Sequence, residues 1–206
     1  MNNSIVANGE YIHSCVHLED AELNYWDGFL SPENANTHFL TLKNEICWQS
    51  PKILMFGKWV QQPRLIAWQA EESYPYKYSG QTLIAEPFHP LVKDLCNRLN
   101  KTLNVNFNSV LINFYRNGSD SMGWHADNEP ELGPNPRIAS ISLGGSRDFK
   151  LKQNNSPHKT FTFSLQHGSL LVMGDGVQSN YKHSIPKRVN AEPRINLTFR
   201  RIFLEN

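Results

Sequence analysis

Residues 138–173 read IASISLGGSRDFKLKQNNSPHKTFTFSLQHGSLLVM. Four β-rich runs are legible in this stretch, at 138–143, 148–152, 160–165 and 169–173, with glycine- and asparagine-bearing turns between them. Two longer runs flank it, FNSVLINFY at 107–115 and RINLTFRRI at 194–202. Upstream the period changes. Phe88, Leu91, Val92, Leu95, Cys96 and Leu99 follow the i, i+3, i+4 rule of one buried helical face, predicting a helix from about Pro87–Pro90 to about Asn100. Ser31-Pro32 is an N-cap followed by a first-turn proline, with Phe39, Leu42 and Ile46 at helical spacing behind it. Further strands are expected at 51–60 and 64–69. The predicted class is mainly β with flanking helices: a double-sheet jelly roll with helices over one outer face, an open α+β sheet being the alternative. No repeat or low-complexity linker divides the 206 residues, so one domain is expected.

Composition narrows the classes. Hydrophobic residues make up 39% and charged residues 19%, which excludes a disordered or fibrous chain. No apolar run reaches the length of a membrane span, so no membrane partner is expected. The opening MNNSIVANGEYIHS lacks the basic and apolar regions of a secretory signal, which leaves a cytoplasmic location, or a nuclear one in a eukaryote. Cys15, Cys47 and Cys96 lack metal-ligand spacing and read as reduced and packed. A net charge of +1 means that any contact with nucleic acid must come from local basic patches.

Residues 124–129 read WHADNE. Side chains two apart on an extended segment point to one side, so His125 and Asp127 can aim an imidazole and a carboxylate at one point. His183, in YKHSIP, can supply a third ligand. Two histidines and a carboxylate form the facial triad of non-haem iron(II) oxygenases, with positions left open for oxygen and an organic co-substrate. The same residues also suit a surface His–Asp pair and a separate, hydrogen-bonded His183. The segment at 194–200 favours the first reading. Arg194, Asn196, Thr198 and Arg200 share one face, with Ile195, Leu197 and Phe199 on the other. Arginine suits bidentate carboxylate binding in a partly dry site, and two of them roughly 13 Å apart along a strand suit two carboxylates, or one carboxylate and the metal-bound end of a keto acid. Asn113 and Tyr115 share a face of the 107–115 strand and can finish the cage. A solvated face on an edge strand is the alternative.

The strings NFYRNGSDSMGWHADNEPELGPNPRIASISLGGSRDF, HGSLLVM, YKHSIP and RINLTFR resemble the AlkB family of nucleic-acid dealkylases. ILMFGKWVQQPR and YKYSG resemble its double-stranded-DNA repair branch, and the likeness runs from about Lys52 to Ile202. The resemblance implies a double-stranded β-helix (jelly roll) core at about 105–203 and a substrate-recognition segment at about 50–85. It implies Fe(II) held by His125, Asp127 and His183, with 2-oxoglutarate and O2 as co-substrates. Arg194, helped by Tyr115, is implied to hold the distal carboxylate of 2-oxoglutarate. Arg200 and Asn113 are implied near its metal-binding end, with Asn196 and Thr198 completing the face. The implied reaction is oxidative demethylation of bases such as 1-methyladenine and 3-methylcytosine, releasing formaldehyde and succinate.

The implied partner is alkylated duplex DNA with a flipped base, met by a monomer, because the methyl group lies on the pairing edge. RNA or single-stranded DNA is the alternative substrate, and a catalytically silent nucleic-acid-binding module the alternative of another class. Met55-Phe56-Gly57 is an apolar hairpin tip, followed by Lys58, and the resemblance makes Phe56 a wedge into the duplex; a buried core strand is the other reading of ILMF. Tyr76 and Tyr78 read as core aromatics or as substrate contacts; by resemblance Tyr78 stacks on the flipped base, with the His125 ring opposite. Glu129 is a candidate acceptor for an exocyclic amine, or a solvated loop residue. The branch often carries an acidic residue where this chain has Asn128, which leaves base preference open, and segment 152–160 is shorter than the basic loop of some relatives. Arg64, Arg147, Lys150, Lys152 and Lys159 read as phosphate contacts or as ordinary surface charge.

Overall fold

A computed structural model describes residues 12–55, 57–72, 75–78, 81–156 and 159–203. Along the chain run β1 (Ile12–Leu18), β2 (Ala21–Asp27), α1 (Pro32–Glu45), β3 (Lys52–Met55), β4 (Lys58–Gln61), β5 (Leu65–Ala70), β6 (Pro75–Tyr78), β7 (Gln81–Ile84), β8 (Glu86–Pro87) and α2 (Pro90–Leu103). Then come β9 (Ser109–Tyr115), β10 (Met122–His125), a 3-10 turn (Pro130–Leu132), β11 (Ile138–Gly144), β12 (Arg147–Gln153), β13 (Thr160–Leu165), β14 (Leu170–Met173), α3 (Val177–Asn180), β15 (Tyr181–Ile185) and β16 (Arg194–Arg200).

Two sheets face each other. The larger has eight strands in the order β1-β2-β14-β11-β16-β9-β5-β8, and the smaller has four, β10-β15-β12-β13. This is the expected jelly roll, with one addition. The sheet opens with an N-terminal hairpin that pairs through Leu23–Met173 and Trp26–Leu170 onto β14, so strands precede the helices as well as follow them.

Period-2 alternation divides the larger sheet between two cores. Ile195, Leu197 and Phe199 of β16 pack outward with Val110, Ile112, Ala139 and Ile141 against Leu42 of α1 and Val92, Leu95, Cys96 and Leu99 of α2. The opposite faces meet the small sheet through residues such as Tyr115, Phe149, Leu151, Leu171 and Tyr181. The helices therefore cover one outer face, as the sequence predicts. Their caps agree as well. Ser31 Oγ accepts from the Asn34 amide at 3.3 Å, and Pro32 opens α1. Helix α2 runs three residues past the expected Asn100, to Leu103, and is closed by Asn104 in the left-handed region (φ 51°).

The 51–60 segment, expected as a strand with a hairpin tip at Met55-Phe56-Gly57, is a hairpin, β3 against β4 in the register Met55–Lys58, with Gly57 at φ 75° in its turn. Phe56 lies outside the described residues, and Met55, Tyr76 and Tyr78 are described by their backbone alone. Among the described residues no helix is long and apolar enough to cross a membrane.

The cysteines are not uniformly packed: Cys96 is buried, Cys15 is half-buried and Cys47 is exposed. Burial pushes the Cys96 thiol up to about 11. Iodoacetamide at pH 8 is expected to label Cys47 rapidly and Cys96 only after denaturant is added, a difference that peptide mass mapping reads directly.

Candidate metal and keto-acid site

The site lies between the two sheets. Its first two candidate ligands come from neighbouring strands of the small sheet, where His125 of β10 sits directly opposite His183 of β15. Asp127 lies two residues beyond the end of β10, yet its carboxylate turns back to the same point. Donor atoms of the three residues all fall within 4.8 Å of one another. Asp127 and His183 are buried; His125 is half-buried at the mouth.

Hydrogen bonds and electrostatics set this donor chemistry. His125 Nδ1 donates to the Gly123 carbonyl at 2.9 Å. A carbonyl only accepts, so the lone pair of this imidazole sits on Nε2, 3.6 Å from Asp127 Oδ1. His183 stacks on Phe149 at 5.3 Å. Burial, with added repulsion from His125, pushes it down to about 3, which keeps it neutral and able to ligate at pH 7. Burial alone would raise the Asp127 carboxyl. The Arg200 guanidinium, with His125 and His183, outweighs burial and holds the carboxyl well below the usual carboxylate range. Arg200 Nη2 donates to Asp127 Oδ2 at 2.9 Å, and both side chains are 3% exposed. A neutral His183, the His125 imidazole and an ionised Asp127 carboxylate, converging in a largely dry site, fit a divalent cation.

β16 runs in the middle of the larger sheet rather than at an edge, so its polar face is buried and not solvated. Arg194, Asn196, Thr198 and Arg200 line one cavity with Asn113, Tyr115, His125, Asp127 and His183. Register explains the gathering: Arg194 faces Tyr115 and Asn196 faces Asn113 on β9, while Thr198 faces Ser140 and Asn196 faces Ser142 on β11. The arginines differ in use. Arg200 is committed to Asp127. Arg194, 1% exposed, donates from Nη2 to Ser142 Oγ at 2.9 Å and is drawn to the Tyr115 hydroxyl, while its Nε and Nη1 make no close hydrogen bond among the described residues. Burial pushes Arg194 down to about 10, still cationic at neutral pH. A buried guanidinium with two open donors is a fitted receptor for a carboxylate.

Several neighbours escaped the sequence reading. Ser140 accepts from Asn196 Nδ2 at 2.7 Å and Ser142 accepts from Arg194; the alternation of IASISL carries that signal. Arg64 and Arg147 are not surface charges. Arg64 donates to Asn113 Oδ1 at 2.7 Å. Arg147, fully buried, donates to the carbonyls of Asp120 and Pro186 at 2.8 and 2.6 Å. Of the expected substrate contacts, Gly57 and Lys58 are exposed on the β3–β4 hairpin, and Glu129 is half-buried just before the 3-10 turn. None of these three lines the cavity.

Comparisons with known proteins agree with this geometry. The family model of the 2OG-Fe(II) oxygenase superfamily matches residues 22–200. Alpha-ketoglutarate-dependent dioxygenase alkB homolog 3 of Homo sapiens is 36% identical over 188 residues, covering 86% of this chain and 65% of that protein. DNA oxidative demethylase ALKBH2 of Mus musculus is 40% identical over 160 residues, covering 73% of this chain and 66% of that protein. The chain thus spans just under two thirds of the length of these relatives. The solved structure of OsALKBH1 superposes over 91% of this chain and all of that one, with a TM-score of 0.62 at 19% identity, which supports the fold.

Proposed function

Since this chain belongs to the 2OG-Fe(II) oxygenase superfamily, we propose that it is a dioxygenase that oxidatively demethylates N-alkylated DNA bases, of the 1-methyladenine and 3-methylcytosine type. The observation that carries the reading is Arg194. Its two open nitrogens lie on the wall of the cavity that holds the His125–Asp127–His183 cluster. A bare metal site needs no such group, whereas a keto acid bound through one end needs a cation for its far carboxylate.

In this reading His125, Asp127 and His183 hold iron(II). The bound metal, with O2 and 2-oxoglutarate, supplies the oxidising power to hydroxylate an N-methyl carbon; succinate and carbon dioxide leave, and the hydroxymethyl product sheds formaldehyde. The chain's own groups position and protect. Arg194 binds the distal carboxylate beside the Tyr115 ring, which lies 5.4 Å from its guanidinium carbon. Arg200 keeps the Asp127 carboxylate ionised and fixed. Leu111, Phe149, Leu165 and Ile185 line the cavity and limit water.

The substrate reading draws on the relatives and on the exposed surface. ALKBH2 is named for DNA demethylation, and its 40% identity spans 73% of this chain. The β3–β4 hairpin carries Trp59 and Val60, 61% and 44% exposed, an apolar surface suited to unstacking bases. Trp124, directly before His125, is 41% exposed with Lys152 Nζ 4.7 Å from its ring, a pairing suited to a nucleic-acid strand. Phe56 is assigned as the wedge, with Met55, Gly57 and Lys58 around it, Tyr76 and Tyr78 as the base platform and Glu129 as a base contact. The same chemistry on RNA or single-stranded DNA is the alternative.

The test is mass spectrometry of methylated oligonucleotides incubated with iron(II), ascorbate and 2-oxoglutarate. Loss of one methyl mass with stoichiometric formaldehyde is expected. Duplex DNA should be turned over fastest, and Phe56→Ala should slow duplex repair more than single-strand repair. No turnover on any methylated DNA, with metal bound, overturns the assignment; faster turnover of RNA replaces the substrate and leaves the chemistry.

A further inference from the structure

Asp127 has a second restraint that neither the motif nor the cavity wall contains. It lies past the end of β10, so no ladder partner takes its amide, and the residue is 2% exposed. A buried, unpaired N–H costs about 1–3 kcal/mol. Gln178 Oε1 accepts it at 2.9 Å. Gln178 is itself 3% exposed, and its Nε2 donates to Met173 Sδ at 3.3 Å, so both ends of the amide are fixed.

Gln178 belongs to α3, the single turn that leads into β15 and His183. One short segment therefore carries one metal ligand and steadies another. That segment is gripped by the turn of the N-terminal hairpin. Glu22 and Asp175 pair N to O at 3.0 Å, and the Gly174 amide donates to the Glu22 carbonyl at 2.9 Å. Asn180 Nδ2 donates to the Asp20 carbonyl at 2.8 Å and Tyr181 Oη to the Glu19 carbonyl at 2.9 Å. Gly176, at φ 77°, allows the close approach: a Cβ there would meet the Asp20 carbonyl oxygen at 1.9 Å. The restraint runs from turn to α3 to Gln178 to the Asp127 main chain, while Arg200 holds the Asp127 carboxylate.

We infer that Gln178 is a positioning residue for the metal centre, fixing the Asp127 backbone so that its carboxylate meets His125 and His183. This rests on the reading of His125, Asp127 and His183 as metal ligands. Partners of this kind are worth about 10- to 100-fold in metal affinity.

The experiment is calorimetric titration of the metal-free full chain with Mn(II), with melting temperatures recorded alongside. Gln178→Met, close in shape but without the acceptor, should bind Mn(II) about 10- to 100-fold more weakly. Gln178→Glu keeps an acceptor and should retain most of the affinity. Val177→Ala trims a neighbouring core side chain without touching the hydrogen bond; it should lower the melting temperature and leave affinity near wild type. Gln178→Met binding as tightly as wild type, or Val177→Ala weakening it equally, overturns the inference. Wild type that binds no Mn(II), or Asp127→Ala that binds it unchanged, overturns the metal reading beneath it. If Gln178→Met does not fold, amide exchange in the metal-free wild type decides: a protected Asp127 amide supports the bond and a freely exchanging one refutes it.

Discussion

Asp127→Ala is expected to abolish metal binding and turnover, and also to cost the metal-free fold about 3–5 kcal/mol. The second effect separates this residue from an ordinary ligand. Arg200 is 3% exposed and its guanidinium is bonded to the carboxylate at 2.9 Å. Removing the carboxylate takes the bonded anion away from a buried guanidinium. Urea denaturation of the metal-free variant reads the loss. The double variant Asp127→Ala/Arg200→Met should recover most of the stability, because replacing a buried pair by apolar groups is often neutral or better. It should recover no turnover. A single variant as stable as wild type would show that the pair contributes nothing to the fold.

Arg194→Met should leave Mn(II) binding near wild type and weaken 2-oxoglutarate binding to the metal-loaded protein by roughly 30- to 4,000-fold. Removing one partner of a buried, charge-assisted contact costs about 2–5 kcal/mol, and each 1.4 kcal/mol is a factor of ten. The fold should tolerate the change, since burial already works against this cation. Arg194→Lys should rescue only part of the loss: a point charge replaces a planar fork that Ser142 holds from one side. The measurement is calorimetric titration with 2-oxoglutarate at fixed Mn(II). Equal affinities for wild type and Arg194→Met would move the co-substrate's far carboxylate elsewhere.

The site was legible to the extent that strands impose a period of two. Arg194, Asn196, Thr198 and Arg200 share a face because alternate side chains must, and Asn113 and Tyr115 join them because β9 and β16 pair in register. The convergence of His125 with His183 depends on a cross-strand pairing 58 residues apart in the chain, which the motif suggested and no local window could establish. Arg64, Arg147 and Gln178 were unreadable for a related reason. Their burial is set by acceptors and donors on distant segments: Asn113 and Ser121 for Arg64, Asp120 and Pro186 for Arg147, and Asp127 for Gln178. The N-terminal hairpin was missed because IHSCVHL lacks alternation and the alternation of AELNY breaks at Trp26, leaving too short a run to identify a strand pair. Its turn is closed by Asp20 at φ 54°, an unusual backbone for a non-glycine residue.

The central place of β16 bears on how the chain is made. Strands β9 and β11 are separated in the finished sheet by a strand synthesised some fifty residues after the later of them. While residues 194–200 are still inside a ribosome, both neighbours must wait with open edges, and such edges invite pairing with other chains. His125, Asp127 and His183 all emerge before Arg194 and Arg200 do. A nascent chain can thus gather the candidate metal donors before it owns either the guanidinium that steadies Asp127 or the one assigned to the keto acid.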